Sequence, residues 1–322
     1  MNPYIGHTSQ LYGVEEHRLV GGKGDGMRLF QVRNGAGLEF TVSADRACDL
    51  SRLSFDGVNF GYFGPTGYVA PAYYDKEGAG FLKSFTAGFL TTCGLFSFGE
   101  PCEDGGDTLG LHGTISQVPA EQVSWWEKDG VIHIKALIRD TMTLSYEMLL
   151  EREYLVPVGG NTMTIVDRVT NLGPAEVPYQ ILYHFNVGYP LLSEKAKLTV
   201  PTEKVTPQNQ HAADHIATWQ TIEPPTKGYE EMCFYHTMSG RAKVTLFNPD
   251  VQKGFTMEYD TEALPCFTQW KMMGERDYVM GVEPGNGTPD GRKVMRERGM
   301  LKFLQPGESA EQSITFTFLR EE

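Results

Sequence analysis

Apolar and polar residues alternate with a period of two in many stretches of this chain, the mark of strands that lay one face against a core. Over residues 131–138, Ile132, Ile134, Ala136 and Ile138 fall on one face, and Val131, His133, Lys135 and Leu137 on the other. Near the C-terminus, Ile314, Phe316 and Phe318 alternate with Ser313, Thr315 and Thr317. Both read as antiparallel strands with one wetter face. The pattern predicts further strands at 39–43, 142–150, 162–170, 179–188, 196–201, 241–247, 255–259, 267–273 and 278–283. Turn chemistry separates them, at Asp129-Gly130, Gly159-Gly160-Asn161, Asn248-Pro249-Asp250 and Gln305-Pro306-Gly307. Short helices are expected only around 73–89. So many strands with so few helices predict an all-β protein, a large antiparallel β-sandwich. With no internal repeat and no low-complexity linker, residues 1–322 are expected to form one domain.

Composition sharpens this picture. The 36 glycines and 18 prolines among 322 residues fit a chain with many turns, and 40% hydrophobic residues suffice for a sizeable core. A formal charge of −13 without any Lys/Arg cluster argues against nucleic acid as a partner and favours a neutral or cationic one. Five scattered cysteines (Cys48, Cys93, Cys102, Cys233 and Cys266) form no Cys-x-x-Cys pair, so neither a disulfide framework nor a zinc site is expected. The N-terminus has no secretion-signal pattern and no stretch approaches a membrane span. A cytoplasmic protein without membrane partners is the expectation; oligomeric state is left open.

Three distant stretches carry acid and base chemistry: Leu111-His112-Gly113, Tyr183-His184-Phe185-Asn186 and Gly281-Val282-Glu283-Pro284-Gly285-Asn286. Imidazoles and a carboxylate brought within hydrogen-bond reach can trade protons with hydroxyl and ether oxygens near neutral pH. In 179–188, period two puts Tyr179, Ile181, Tyr183, Phe185 and Val187 on one side. Gln180, Leu182, His184 and Asn186 fall on the other, as in a strand glued to a core behind and lining a cleft in front. Glu283 should emerge where a strand meets a loop, either as a base with raised proton affinity or paired with Lys271 or Arg292. Trp270 offers either an aromatic face to a sugar ring or a core side chain. Two Gly-rich loops, 99–113 and 284–299, are long enough to carry function, and the first brings Glu103, Asp104 and Asp107 close to His112. Its acids do not follow a calcium-loop spacing.

Taken in order, Leu-His-Gly, the mid-chain histidine strand, the late Gly-x-Glu and Leu304-Gln305-Pro306-Gly307-Glu308 before a final strand resemble the galactose mutarotase-like (aldose 1-epimerase) superfamily. Arg46-Ala47-Cys48-Asp49-Leu50, Pro101-Cys102-Glu103-Asp104-Gly105-Gly106 and Gln269-Trp270-Lys271-Met272-Met273 resemble a divergent branch of it. The resemblance implies a supersandwich with a concave sugar-binding face. It implies His184 as general acid toward the ring oxygen, Glu283 as general base toward the anomeric hydroxyl, and His112 as a hydroxyl-binding histidine. It implies a small carbohydrate substrate and neither metal nor organic cofactor. Arg46, Glu103, Asp104, Asn186, Gln269, Trp270 and Lys271 complete the expected substrate-binding set. The sequence departs from the better-known members: Gly88-Phe89-Leu90-Thr91-Thr92-Cys93-Gly94 stands where they carry Gly-Arg-x-x-Asn, and Asp214 is a weak counterpart of their substrate-pinning aspartate. The leading expectation is therefore an isomerase of the aldose 1-epimerase type acting on a free or modified monosaccharide. A non-catalytic carbohydrate-binding protein, or another sugar isomerase or lyase, are the alternatives.

Overall fold

A computed structural model describes residues 3–321. Its largest sheet has eight strands in the order Gln122–Lys128, Val131–Met142, Tyr146–Pro157, Thr162–Asn171, Ser309–Leu319, Lys253–Asp260, Arg241–Asn248 and Lys197–Thr199. The second has seven strands. Six follow the order Lys204–Pro207, Met232–Thr237, Cys266–Met273, Tyr278–Gly285, Val177–Gly188 and Lys302–Leu304, and Leu90–Leu95 also pairs with Val177–Gly188. A five-stranded N-terminal sheet, running from Gly13–Arg18 to Val58–Asn59, adds Phe40, Val42, Leu50 and Phe55 to the same core. The protein is an all-β sandwich.

The alternation seen in the sequence decides which side chains meet between the sheets. Ile132, Ile134, Ala136 and Ile138 are buried, as are Ile314, Phe316 and Phe318. They join Ile181, Tyr183, Phe185 and Val187 from the opposite sheet in one apolar cluster. Phe316 packs against Phe185 (4.9 Å between ring centroids), Phe89 and Phe255. Burying each such ring stabilises the fold by about 1.5–3 kcal/mol.

Two expectations shift. Met142 ends one strand rather than opening the next, because the turn at 143–145 is made by Leu144 at φ +65° and carries no glycine, proline or asparagine to announce it. The strand Gln122–Lys128 was hidden for a different reason. It is an edge strand with no buried residue, and it exposes Trp125 and Trp126, so no period of two develops. The helical expectation around 73–89 corresponds to two short 3-10 segments, Pro71–Tyr73 and Gly80–Ser84.

Behind the strand Val177–Gly188 lies a fully buried polar knot. Arg152 donates to both Asp167 oxygens, to Asp49 (2.6 Å), to Thr92 and to the Ala47 carbonyl, and the Tyr183 hydroxyl donates to Asp167 at 2.7 Å. All three charges are paired, so the knot ties three segments together at the core side of the strand that carries His184. Arg152→Leu would strand two buried carboxylates. It is expected to cost about 3–5 kcal/mol in urea unfolding; a loss under 1 kcal/mol would show that the knot is dispensable.

Candidate active site

Antiparallel register creates the centre of the site. Leu182 lies opposite Gly285 and Phe185 opposite Val282, which sets His184 directly across from Glu283. The two side chains share a face, and Glu283 Oε1 lies 3.2 Å from His184 Nδ1. Both are almost wholly buried, at 5% and 2% exposure. Glu283 can sit there because position 281, two residues earlier on the same face, is glycine. A Cβ at Gly281 would overlap the Glu283 Oε1 atom and come within 3.0 Å of the Trp270 Cβ.

His112 reaches the same place from a loop. Its backbone is left-handed, at φ +60°, which for a residue with a Cβ costs about 1–3 kcal/mol and persists only where the surroundings fix it. They do so by hydrogen bonds from His112 N to the Gly99 carbonyl and from Gly94 N to the His112 carbonyl. Gly113 follows at φ +73°, where a Cβ would run into the Ser97 and Gly94 carbonyls. The imidazoles of His112 and His184 meet edge to face at 5.5 Å, and Trp270 stands 5.3 Å from His184 on the other side. Phe81 and Phe85, from the segment around Gly80–Ser84, pack over His112 and His184. Together these groups line a cavity of about 340 Å³, whose open end carries Glu100 and Glu231. That volume falls at the small end of the range of about 300–1,000 Å³ common for small-molecule sites.

Burial sets the electrostatics. It pushes His184 down to about 3, with His112 adding to the effect, and His112 down to about 4. It raises Glu283 well above the usual carboxylate range, helped by the negative charge of Glu231. Among the described residues, no lysine or arginine pairs with Glu283. Lys271 pairs instead with Glu223 at 3.0 Å, and Arg292 with Asp104 and Asp107 at 2.6 Å each. His112 Nδ1, His184 Nδ1 and Glu283 Oε1 are buried without an aligned hydrogen-bond partner. Desolvated polar atoms of this kind are costly unless a ligand or water satisfies them.

Of the residues expected to bind substrate, the cavity gathers His112 and Trp270 alongside His184 and Glu283. The others lie elsewhere, for identifiable reasons. Arg46 is buried against backbone, donating to the carbonyls of Val69, Ser84 and Ser116, and so anchors the segment that carries Phe81 and Phe85. Asp104 spends both oxygens on Arg292 and Arg296, and Glu103 is exposed on the neighbouring hairpin. Gln269 and Lys271 point to the strand face opposite Trp270, where Gln269 donates to the Trp219 carbonyl. Asn186 is fully buried and donates to the His184 carbonyl. Asp214 is exposed on the short helix Gln210–Asp214, accepting from Gln210. The Gly88–Gly94 stretch forms part of the strand next to His184, with Thr92 held by Asp49.

The two Gly-rich loops act on each other. The helix Arg292–Glu297 of the second clamps the hairpin of the first through Asp104, which holds the chain leading to His112. Sequence reasoning missed Glu100, Glu231, Phe81 and Phe85. The only signal for the aromatic pair was their i, i+4 spacing inside the stretch where short helices are expected; the two glutamates gave none.

With sheet order, cavity and the His184–Glu283 contact in place, the chain has the galactose mutarotase-like fold, in a divergent branch. It belongs to a family described as a domain of unknown function, DUF4432, whose model matches residues 24–318. Among solved structures it is similar to a "putative aldose 1-epimerase" from Klebsiella pneumoniae subsp. pneumoniae. The two are 29% identical at a TM-score of 0.92, over 98% of this chain and 86% of the other. It also shares its fold with a galactose mutarotase-like protein from Clostridium acetobutylicum (13% identity, TM-score 0.68, 96% of this chain and 99% of that one). A third similar structure is galactose 1-epimerase from Lactobacillus acidophilus NCFM (12%, 0.65, 97% and 100%). No curated protein matches the chain. Among the described residues, no helix is long and apolar enough to cross a membrane, and no cluster of three or more His, Cys, Asp or Glu is arranged to hold a metal ion.

Gly281→Ala tests the geometry directly. Displacing the carboxyl is expected to destabilise the protein by about 1–3 kcal/mol in urea unfolding. It should also shift the imidazole nitrogen resonances of His184 while leaving those of the distant His133 in place. Unchanged His184 resonances would mean that Gly281 does not position Glu283.

Proposed function

We propose that this protein is an aldose 1-epimerase, an isomerase that interconverts the α and β anomers of a free or modified monosaccharide. The observation that carries the reading is the cross-strand contact of His184 with Glu283, unanswered by any cation, inside a cavity sized for one sugar ring. Ring opening needs one proton removed from the anomeric hydroxyl and one delivered to the ring oxygen. A buried pair holding a single exchangeable proton can do both. Glu283 as carboxylate takes the proton from O1 while His184 as imidazolium gives one to O5. The C1–O5 bond breaks, and the aldehyde forms with the proton now on Glu283. Rotation about C1–C2 and closure on the other carbonyl face run the same transfers in reverse, so no net proton is gained or lost. His112, with an unpartnered Nδ1 at the cavity wall, is positioned to hold a sugar hydroxyl, and Trp270 to pack against the ring. The neighbour from Klebsiella, similar along almost the whole chain, supports the same reading. We place the protein in the cytoplasm, consistent with five free cysteines of which four are buried.

Glu283→Gln and His184→Asn separate catalysis from binding. Each is expected to slow enzyme-dependent mutarotation, followed by polarimetry or NMR exchange, by about 100- to 10,000-fold while sugar binding persists. Wild-type rates with Glu283→Gln would refute the assignment, and solvent deuterium appearing on a sugar carbon would indicate carbon-acid chemistry instead. The pH dependence has a definite sign. Adding a second proton to the pair means protonating His184, which burial has pushed down to about 3, and removing the first means ionising Glu283, which burial holds up. The profile of kcat/KM should therefore show no acid limb above about pH 5 and should fall on the alkaline side, where Glu283 ionises. An acid limb near the ordinary histidine value would show that the pair titrates as exposed groups do.

A further inference from the structure

Charge is distributed unevenly around this cavity. Three glutamates, Glu100, Glu231 and Glu283, contribute to its lining, and no lysine or arginine does. The nearby cations are committed elsewhere: Arg298 to Asp290 at 2.6 Å, Arg292 and Arg296 to Asp104, and Lys271 to Glu223. Glu100 and Glu231 belong to separate segments that meet at the open end, where both are solvent-exposed. Among the described residues neither has a cation within ion-pair distance. Glu231 accepts a hydrogen bond from Trp270 Nε1 at 2.7 Å, which fixes the carboxylate beside the indole that lines the cavity. Desolvation of the part of its side chain that is covered, then the charges of Glu231 and Asp290, raise the proton affinity of Glu100.

Two carboxylates in mutual repulsion next to an indole make a receptor for an ammonium group. Such a group forms charge-assisted hydrogen bonds to the carboxylates and relieves their repulsion. Deeper in the same cavity, the buried and unpartnered His112 Nδ1 and Glu283 Oε1 independently call for a polar ligand. An anionic ligand would find no counter-charge on any wall.

We infer that the mouth formed by Glu100, Glu231 and Trp270 recognises the ammonium group of an amino sugar, so that this protein prefers amino sugars to their uncharged counterparts and rejects sugar phosphates and sugar acids. The inference rests on the proposed sugar chemistry for the identity of the ring, and on the mouth alone for the charge. Because Glu100 and Glu231 are exposed, the preference is sensitive to salt.

The test uses the full chain and matched sugars: 2-amino and 6-amino hexoses, their N-acetylated forms, glucose and galactose, galacturonate and glucose 6-phosphate. Anomer exchange by NMR gives kcat/KM, and calorimetry gives affinity, for wild type, Glu231→Gln and Glu100→Gln. At low ionic strength at least one amino hexose is expected to exceed its N-acetylated form by about tenfold or more in both quantities, and the anionic sugars to fall below glucose by a similar factor. Salt should shrink both gaps, and each Gln variant should shrink them further. An anionic sugar handled as well as its neutral counterpart, a preference untouched by both variants, or no binding of any amino sugar would overturn the inference. Ranked binding without exchange of any anomer would refute the epimerase reading and leave the charge preference standing. Exchange of uncharged sugars without a preference for amino sugars would do the reverse.

Discussion

The site depends on one buried carboxyl group that has no cation. Elsewhere in this chain, buried charge is compensated: Arg152 by Asp49 and Asp167, Arg292 by Asp104, Lys271 by Glu223. Even Asp140, pushed up to about 6 by burial, has the hydroxyls of Thr114 and Tyr146 as donors. Glu283 faces an imidazole that is itself held neutral by burial, and its charged neighbour is another glutamate. A fold gains nothing in stability from such a group, because desolvating it costs free energy that no partner offsets. Its position at the wall of a cavity makes sense when the partner is a bound molecule.

The rest of the architecture keeps that costly arrangement in register. Val177–Gly188 is hydrogen-bonded on both sides, to Tyr278–Gly285 and to Leu90–Leu95, so His184 cannot slip relative to Glu283 without breaking two ladders. On its core face Tyr183 is tied to the Arg152 knot, and Phe185 is locked among Phe89 and Phe316. A one-residue slip would send every one of these side chains to the wrong face. Loops do the remaining positioning: the Asp104–Arg292–Arg296 clamp steadies the chain that leads to His112, and Arg46 anchors the segment that roofs the site. Several polar residues that look like ligand contacts in the sequence are thus the frame around the site.

What could be read from the sequence follows from how local each cause is. Period two is a local property, so many of the longer strands and the sidedness of Val177–Gly188 were visible, including the placement of His184 opposite the Tyr183–Phe185 face. Glu283 was visible because a carboxylate at a strand end after an apolar run stands out. Partners were not visible, because pairing is decided by register between segments about a hundred residues apart. Lys271 was one residue away from Trp270 and so necessarily pointed to the other face. Asp104 looked like a hydroxyl ligand until the helix Arg292–Glu297 supplied two guanidinium groups. The cleft-lining face of 179–188 is buried at His184 for the same reason: Phe85, from a distant segment, packs against the imidazole.

Emptiness and occupancy should place the shared proton differently. In the bare cavity, desolvation favours the uncharged arrangement, with the proton on Glu283 and His184 neutral. The charge-separated arrangement, imidazolium beside carboxylate, needs polar groups to take the place of lost water, and a sugar ring presents several hydroxyls to do so. The unpartnered atoms of His112, His184 and Glu283 mark where those hydroxyls would count most. On the proposed function, the sugar would thus contribute part of the environment that makes His184 acidic and Glu283 basic, a form of activation that discriminates against ligands too small to fill the cavity. Glu231 adds to this by its sign. Its charge raises the proton affinity of Glu283, and a cation bound at the mouth would offset that influence, coupling what sits at the entrance to the protonation of the pair at the base.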